Sequence, residues 1–173
     1  MRNLNLCALF LLLGMNCLNA QITVVKDSKP VSRILVEKGE AVDNQAALLL
    51  QDFVKRISGA SLPVVNDKSP RKGDIVIGGN DVSGLTEDGF RLKTENGIVF
   101  ISSGGDKGNI YGVVTLLEDY LGVAYYGANA YTLTERSTVV IPELDRAENP
   151  AFRYRQSQCY ALREDPVYKL WFR

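Results

Sequence analysis

The stretch AALLLQDFVKRISGASLPVV, Ala46 to Val65, passes from helix to stop to strand in one run. Ala46, Leu49, Leu50, Phe53, Val54 and Ile57 recur at i, i+3, i+4, i+7, i+8 and i+11, which lays one apolar stripe along a helix. The helix is expected over Asp43 to Ser58, with Asp43 as N-cap. Lys55 and Arg56 suit its negative C-terminal end, and Gly59 supplies a left-handed stop. Leu62 to Val65 then reads as a short strand. The same order returns in GNIYGVVTLLEDYLGVAYYG. Ile110, Val113, Val114, Leu117 and Leu121 stripe a second helix from about Asn109 to Leu121, Gly122 ends it, and Val123 to Tyr126 is a strand.

More strands surround these two units. Pro30 to Glu37 is extended and rich in β-branched residues, and Asp74 to Gly78 is a compact apolar run. Phe90 to Thr94 and Ile98 to Ser102 flank Asn96-Gly97, a hairpin signal because both residues tolerate positive φ. Val139 to Ile141 is a further strand, and the charged ELDRAENP, Glu143 to Pro150, reads as a linker. These elements imply an α+β fold: a two-layer sandwich in which a mixed β-sheet carries both helices on one face.

Residues 1–20 stand outside that fold. Arg2, the apolar run Leu6 to Leu13 and the small Ala20 make a secretory signal peptide, too short to span a bilayer. Cys17 raises the alternative of a lipoprotein, but Gly14-Met15-Asn16 lacks the small neighbour usual beside a lipidated cysteine. The expected location is exported, periplasmic or extracellular, with no membrane span. The charges balance at 20 basic and 20 acidic residues, which gives no electrostatic reason to bind nucleic acid.

Chemistry-bearing residues are sparse. There is no histidine, and Cys159 alone follows the signal segment. It reads as a small buried hydrophobe without a base to activate it. No metal site, cofactor or catalytic residue is expected. The loop SSGGDKGN fits neither GxGxxG nor GxxxxGK[ST], so it reads as a tight strand-to-helix turn rather than a phosphate cradle. Glu118-Asp119 sits on the polar side of the second helix, and Asp165-Pro166 reads as a helix N-cap. Tyr125, Tyr126 and Tyr131 are either buried sheet aromatics or platforms for sugar rings.

Taken in order, AALLLQDFVKRISGASLPVV, DIVIGGND, DGFRLKTENGIVFISSGG, GNIYGVVTLLEDYLGVAYYG and NPAFRYR resemble the non-catalytic domain that precedes the barrel of alpha-glucuronidases and beta-N-acetylhexosaminidases. The resemblance covers about Val31 to Arg155. It implies a signal peptide over 1–20, an accessory domain over 21–148, and the start of a catalytic TIM barrel over 149–173. The barrel's first strand would run from Arg153 to about Tyr160, with a helix starting at Pro166. A barrel takes about 250 residues, so the resemblance implies a fragment or truncated form of a longer exported glycoside hydrolase. The implied partners are the catalytic barrel of the same parent chain and a carbohydrate substrate. The alternatives are a free-standing secreted module that binds glycan or protein through its sheet face, and a small independent enzyme.

Two arginines follow from the resemblance. Arg155 matches the hexosaminidase arginine that contacts hydroxyls of the non-reducing sugar, and Arg163 matches a second. Gln156 stands where glycine is expected and Tyr160 where aspartate is expected, which leaves a generic sugar contact or a structural arginine. Leu170, Trp171 and Phe172 would form an exposed apolar patch if nothing covered them.

Overall fold

A computed structural model of the protein describes residues 21–37, 39–105, 107–152 and 159–172. The first described elements are β1 (Ile22–Lys26), β2 (Lys29–Pro30) and β3 (Ile34–Val36). Helix α1 (Ala41–Ser58) leads to β4 (Val64–Val65), and β5 (Ile75–Gly79) follows. The hairpin is β6 (Phe90–Glu95) and β7 (Ile98–Ser103), turned by Asn96 and Gly97 at φ 52° and 77°. Helix α2 (Gly108–Thr115) continues as a π-helical turn over Leu116–Tyr120. Then come β8 (Ala124–Gly127), β9 (Ala130–Thr132), β10 (Val139–Ile141), β11 (Asp145–Glu148), α3 (Ala161–Glu164) and α4 (Pro166–Trp171).

The main sheet has the order β11-β6-β7-β5-β3-β4. Its β3, β4, β5 and β7 run parallel, while β6 pairs antiparallel with both β7 and β11, so the sheet is mixed. Strand alternation gives it two unlike faces. Ile34, Ile75, Ile77, Val99, Ile101 and Leu92 point to the helices and are fully buried. Helix α1 covers β3, β4 and β5, α2 covers β6 and β7, and the two helices touch each other. Both helices therefore lie on one face, as their stripes require. The smaller sheet β10-β1-β2 adds Val24, Val25, Val139 and Ile141 to the same core. No helix among the described residues is long and apolar enough to cross a membrane.

Several local readings need correction. Helix α1 starts earlier than expected, with Glu40 at the cap position and no side-chain cap. Asp43 lies inside the first turn, 2% exposed, where its Oδ1 accepts from Asn109 Nδ2 of α2 at 2.6 Å. A carboxylate between two helices is hidden by tertiary packing, which capping statistics do not see. The second helix is not α-helical to its end. The Leu121 amide reaches back five residues to Leu116 at 3.0 Å, and the wider turn buries Leu116 and Leu117 side by side.

ELDRAENP is not a linker: Asp145–Glu148 is strand β11, with Asp145 opposite Lys93. A strand rich in charge is what a protected sheet edge looks like, so the two readings share one composition. Cys159 is exposed rather than buried. Of the expected C-terminal patch, only Phe172 stays exposed. Trp171 is 8% exposed and packs 5.0 Å from the Phe53 ring, because α4 folds back onto α2 and β8. Of the barrel strand expected from Arg153 to about Tyr160, residues 153–158 lie outside the described residues, and Cys159 and Tyr160 are not in a strand.

Candidate functional site

Arg155 also lies outside the described residues. Arg163 is exposed on α3, a helix of four residues. Beside it the chain is anchored by Asp165. Its Oδ1 accepts from the amides of Val167 at 2.9 Å and Tyr168 at 2.8 Å, the expected N-cap. Its Oδ2 accepts from the Asn129 amide at 3.0 Å and the Tyr125 hydroxyl at 3.1 Å, which fixes α4 to the β8–β9 hairpin. Burial pushes the Asp165 carboxyl up, but the amides of Tyr168, Asn129 and Val167 and the Tyr125 hydroxyl together hold it below the usual carboxylate range. Burial raises the Tyr125 phenol, and with its bond to Asp165 takes it to about 12.

Around this anchor the aromatics gather. Tyr125 stacks on Tyr131 at 5.4 Å and on Tyr168 at 5.6 Å, and Trp171 sits 4.9 Å from Tyr125. Arg56 lies over the Phe53 and Tyr131 rings at 5.2 and 5.3 Å. Tyr125 and Tyr131 are thus half-buried packing residues, while Tyr126 is 69% exposed.

In the two acid pairs, Asp119 pairs with Arg146 at 2.5 Å, and Asp165 spends Oδ1 on the helix cap and Oδ2 on the β8–β9 hairpin. Among the described residues no three metal-ligating side chains gather. The glycine loop is closed by packing. A Cβ on Gly104 would stand 2.0 Å from the Thr86 carbonyl oxygen, and one on Gly108 would stand 2.2 Å from that of Gly89. Packing against neighbouring backbone therefore requires glycine at both positions. Asn149, the first residue of NPAFRYR, pins the β5–β6 segment that abuts this loop: its Oδ1 accepts from the Thr86 amide at 2.8 Å, and its Nδ2 donates to the Gly84 carbonyl at 2.9 Å.

The sequence reading offered the sheet face as an alternative binding surface but named no residue on it. Leu35, Val76, Phe100 and Lys93 stand in one row across β3, β5, β7 and β6. With Arg91, Glu95, Asp81 and Glu37 they line a concavity of about 290 Å³. The signal was the alternation in FRLKTE, which puts Arg91, Lys93 and Glu95 on one side of β6.

The family model "Glycosyl hydrolase family 20, domain 2" matches residues 19–118. No curated protein matches the chain. Among solved structures, the fold is similar to that of an inactive mutant of the GH20 exo beta-N-acetylglucosaminidase from Vibrio harveyi. That match has a TM-score of 0.52 and 21% identity, over 78% of this chain and 18% of that one. It is also similar to a family GH115 4-O-methyl-alpha-glucuronidase with specificity for decorated arabinogalactans. There the TM-score is 0.59 and the identity 19%, over 77% of this chain and 19% of that one. The chain therefore spans less than a fifth of the length of each of these structures.

Proposed function

Since the chain belongs to the glycosyl hydrolase family 20, domain 2, family, we propose that it is the non-catalytic accessory part of an exported glycoside hydrolase acting on polysaccharide or glycan. The family match over residues 19–118 carries this reading. On this reading residues 1–20 are a signal peptide, 21–148 the accessory domain and 149–173 the start of the catalytic barrel. The barrel of the parent chain is the partner, and the hydrolysis of glycosidic bonds takes place there.

Arg155 and Arg163 are then the residues that face carbohydrate. A guanidinium presents a rigid fork of donors that can hold two neighbouring sugar hydroxyls. The exposure of Arg163 on α3 leaves its side chain available for such a contact. The purified chain on a panel of aryl glycosides is the direct test. No turnover is expected, and clear hydrolysis by the chain alone would overturn the non-catalytic reading. In the longer parent, Arg155→Ala should weaken substrate binding with the fold intact. Unchanged kinetics in a folded variant would remove Arg155 from the site.

A further inference from the structure

The sheet face away from the helices has an apolar floor and a charged rim. Leu35 and Val76 are 0% and 2% exposed, and Phe100 beside them is half-buried, so its ring forms the accessible part of the floor. Gly79 makes room for this arrangement, since a Cβ there would meet Ser102 Oγ at 2.7 Å and Phe100 Cδ1 at 3.5 Å.

The rim is paired in charge but not saturated in hydrogen bonds. Arg91 Nε lies 3.5 Å from Asp81 Oδ2 and is buried without a hydrogen-bond partner among the described residues. Lys93 Nζ stands 3.5 Å from Glu95 and 4.0 Å from Asp81. These separations exceed the ordinary N–H···O range of about 2.7–3.2 Å. Arg91 Nη2 is used on the Ser83 carbonyl at 2.9 Å and Glu37 Oε1 on Asn80 Nδ2 at 3.1 Å, while Arg91 Nε stays without a hydrogen bond and the Arg91–Asp81 and Lys93 ion pairs stay long. Such a rim selects by charge. An anion meets the carboxylates of Glu37, Asp81 and Glu95, and a cation meets Arg91 and Lys93. A neutral polyol suits both, because each hydroxyl donates to a carboxylate and accepts from a guanidinium or ammonium.

We propose that this concavity binds a neutral pyranose sugar, with one C–H face of the ring on Phe100 and its hydroxyls shared between Arg91 and Asp81. The site needs no catalytic domain. Its failure would leave the family reading intact, and hydrolysis by the chain alone would leave this proposal intact.

The test is an amide chemical-shift titration of the whole chain with methyl glycosides of glucose, galactose and N-acetylglucosamine, up to about 50 mM because single-sugar contacts are near-millimolar. Glucuronate and phosphate serve as anionic comparators. At least one neutral sugar should give saturable shifts confined to residues 76–81 and 91–102. Phe100→Ala should weaken that binding about fivefold or more. Asp81→Asn removes the charge of an exposed rim residue outside the core and should weaken it comparably, so it decides the matter if Phe100→Ala fails to fold. No saturable shift, shifts centred on α1, equal or tighter binding of glucuronate or phosphate, or unchanged affinity in Asp81→Asn would each overturn the proposal.

Discussion

The Tyr125 hydroxyl donates to Asp165 Oδ2 at 3.1 Å, joining the β8–β9 hairpin to helix α4 across 40 positions of chain. One carboxylate thereby caps a helix and attaches it to the domain, with the backbone of Asn129 as the fourth donor. Loss of the carboxylate leaves all four donors without it, whereas loss of the phenol removes one bond of four. Asp165→Ala should therefore cost about 2 kcal/mol and Tyr125→Phe about 1 kcal/mol. Denaturant unfolding of both variants checks the order, and equal losses would contradict it.

The same pair sets two limits in pH. The folded Asp165 carboxyl sits below its unfolded value, so its contribution is present above roughly pH 4 and is lost as pH falls through the folded value. The Tyr125 phenol is raised to about 12. Its contribution is complete below the unfolded value of roughly 10 and is lost as pH rises through the folded one. Melting temperature against pH should decline at both ends, and Asp165→Asn should flatten the acid decline relative to wild type.

Phe53 and Trp171 form the next test. Phe53 is 1% exposed and touches Tyr131 and Trp171. Phe53→Ala should cost ~3–5 kcal/mol through lost transfer energy and the cavity left behind. Trp171 is the one tryptophan of the chain, so its fluorescence reports on the docking of α4. The native emission should be blue-shifted, and Asp165→Ala should move it to the red before the far-ultraviolet helix signal is lost. Coincident loss of both signals would mean that α4 and the core unfold as one unit.

Glycines separate two physical demands. Gly104 abuts the Thr86 backbone, while a Cβ on Gly59 meets nothing within 4 Å and only the φ of 75° is at issue. Gly104→Ala should cost about 2–3 kcal/mol by overpacking against a rigid carbonyl. Gly59→Ala should cost about 1 kcal/mol from the left-handed backbone alone. A reversed order in thermal melts would refute the close-packed account of the loop.

What was legible in the sequence was local and periodic. The stripes of α1 and α2, the Asn96-Gly97 turn, the Gly59 and Gly122 stops and the Asp165-Pro166 cap all depend on neighbours within a few residues. What was hidden depends on partners far along the chain. Asp43 looked like a cap because its partner Asn109 lies in the other helix. Trp171 looked exposed because Phe53 and Tyr125, which cover it, come from α1 and β8. Strand β11 looked like a linker because an edge strand at the margin of a core needs little apolar content. The concavity around Phe100 arises from four strands and the loops that follow β3 and β5, and no single stretch of sequence contains it.

The two borders of the main sheet have a consequence for what happens when two copies of the protein meet edge to edge. On one side β4 is two residues long, which gives an incoming strand almost nothing to register against. On the other, β11 presents Asp145, Arg146 and Glu148, and Arg146 is held by Asp119 and Glu148. A second molecule arriving edge to edge would have to break those pairs before its backbone could add to the ladder. Both margins thus resist templated growth into fibrils, and the sheet stays finite without a barrel closure or a disulfide to seal it.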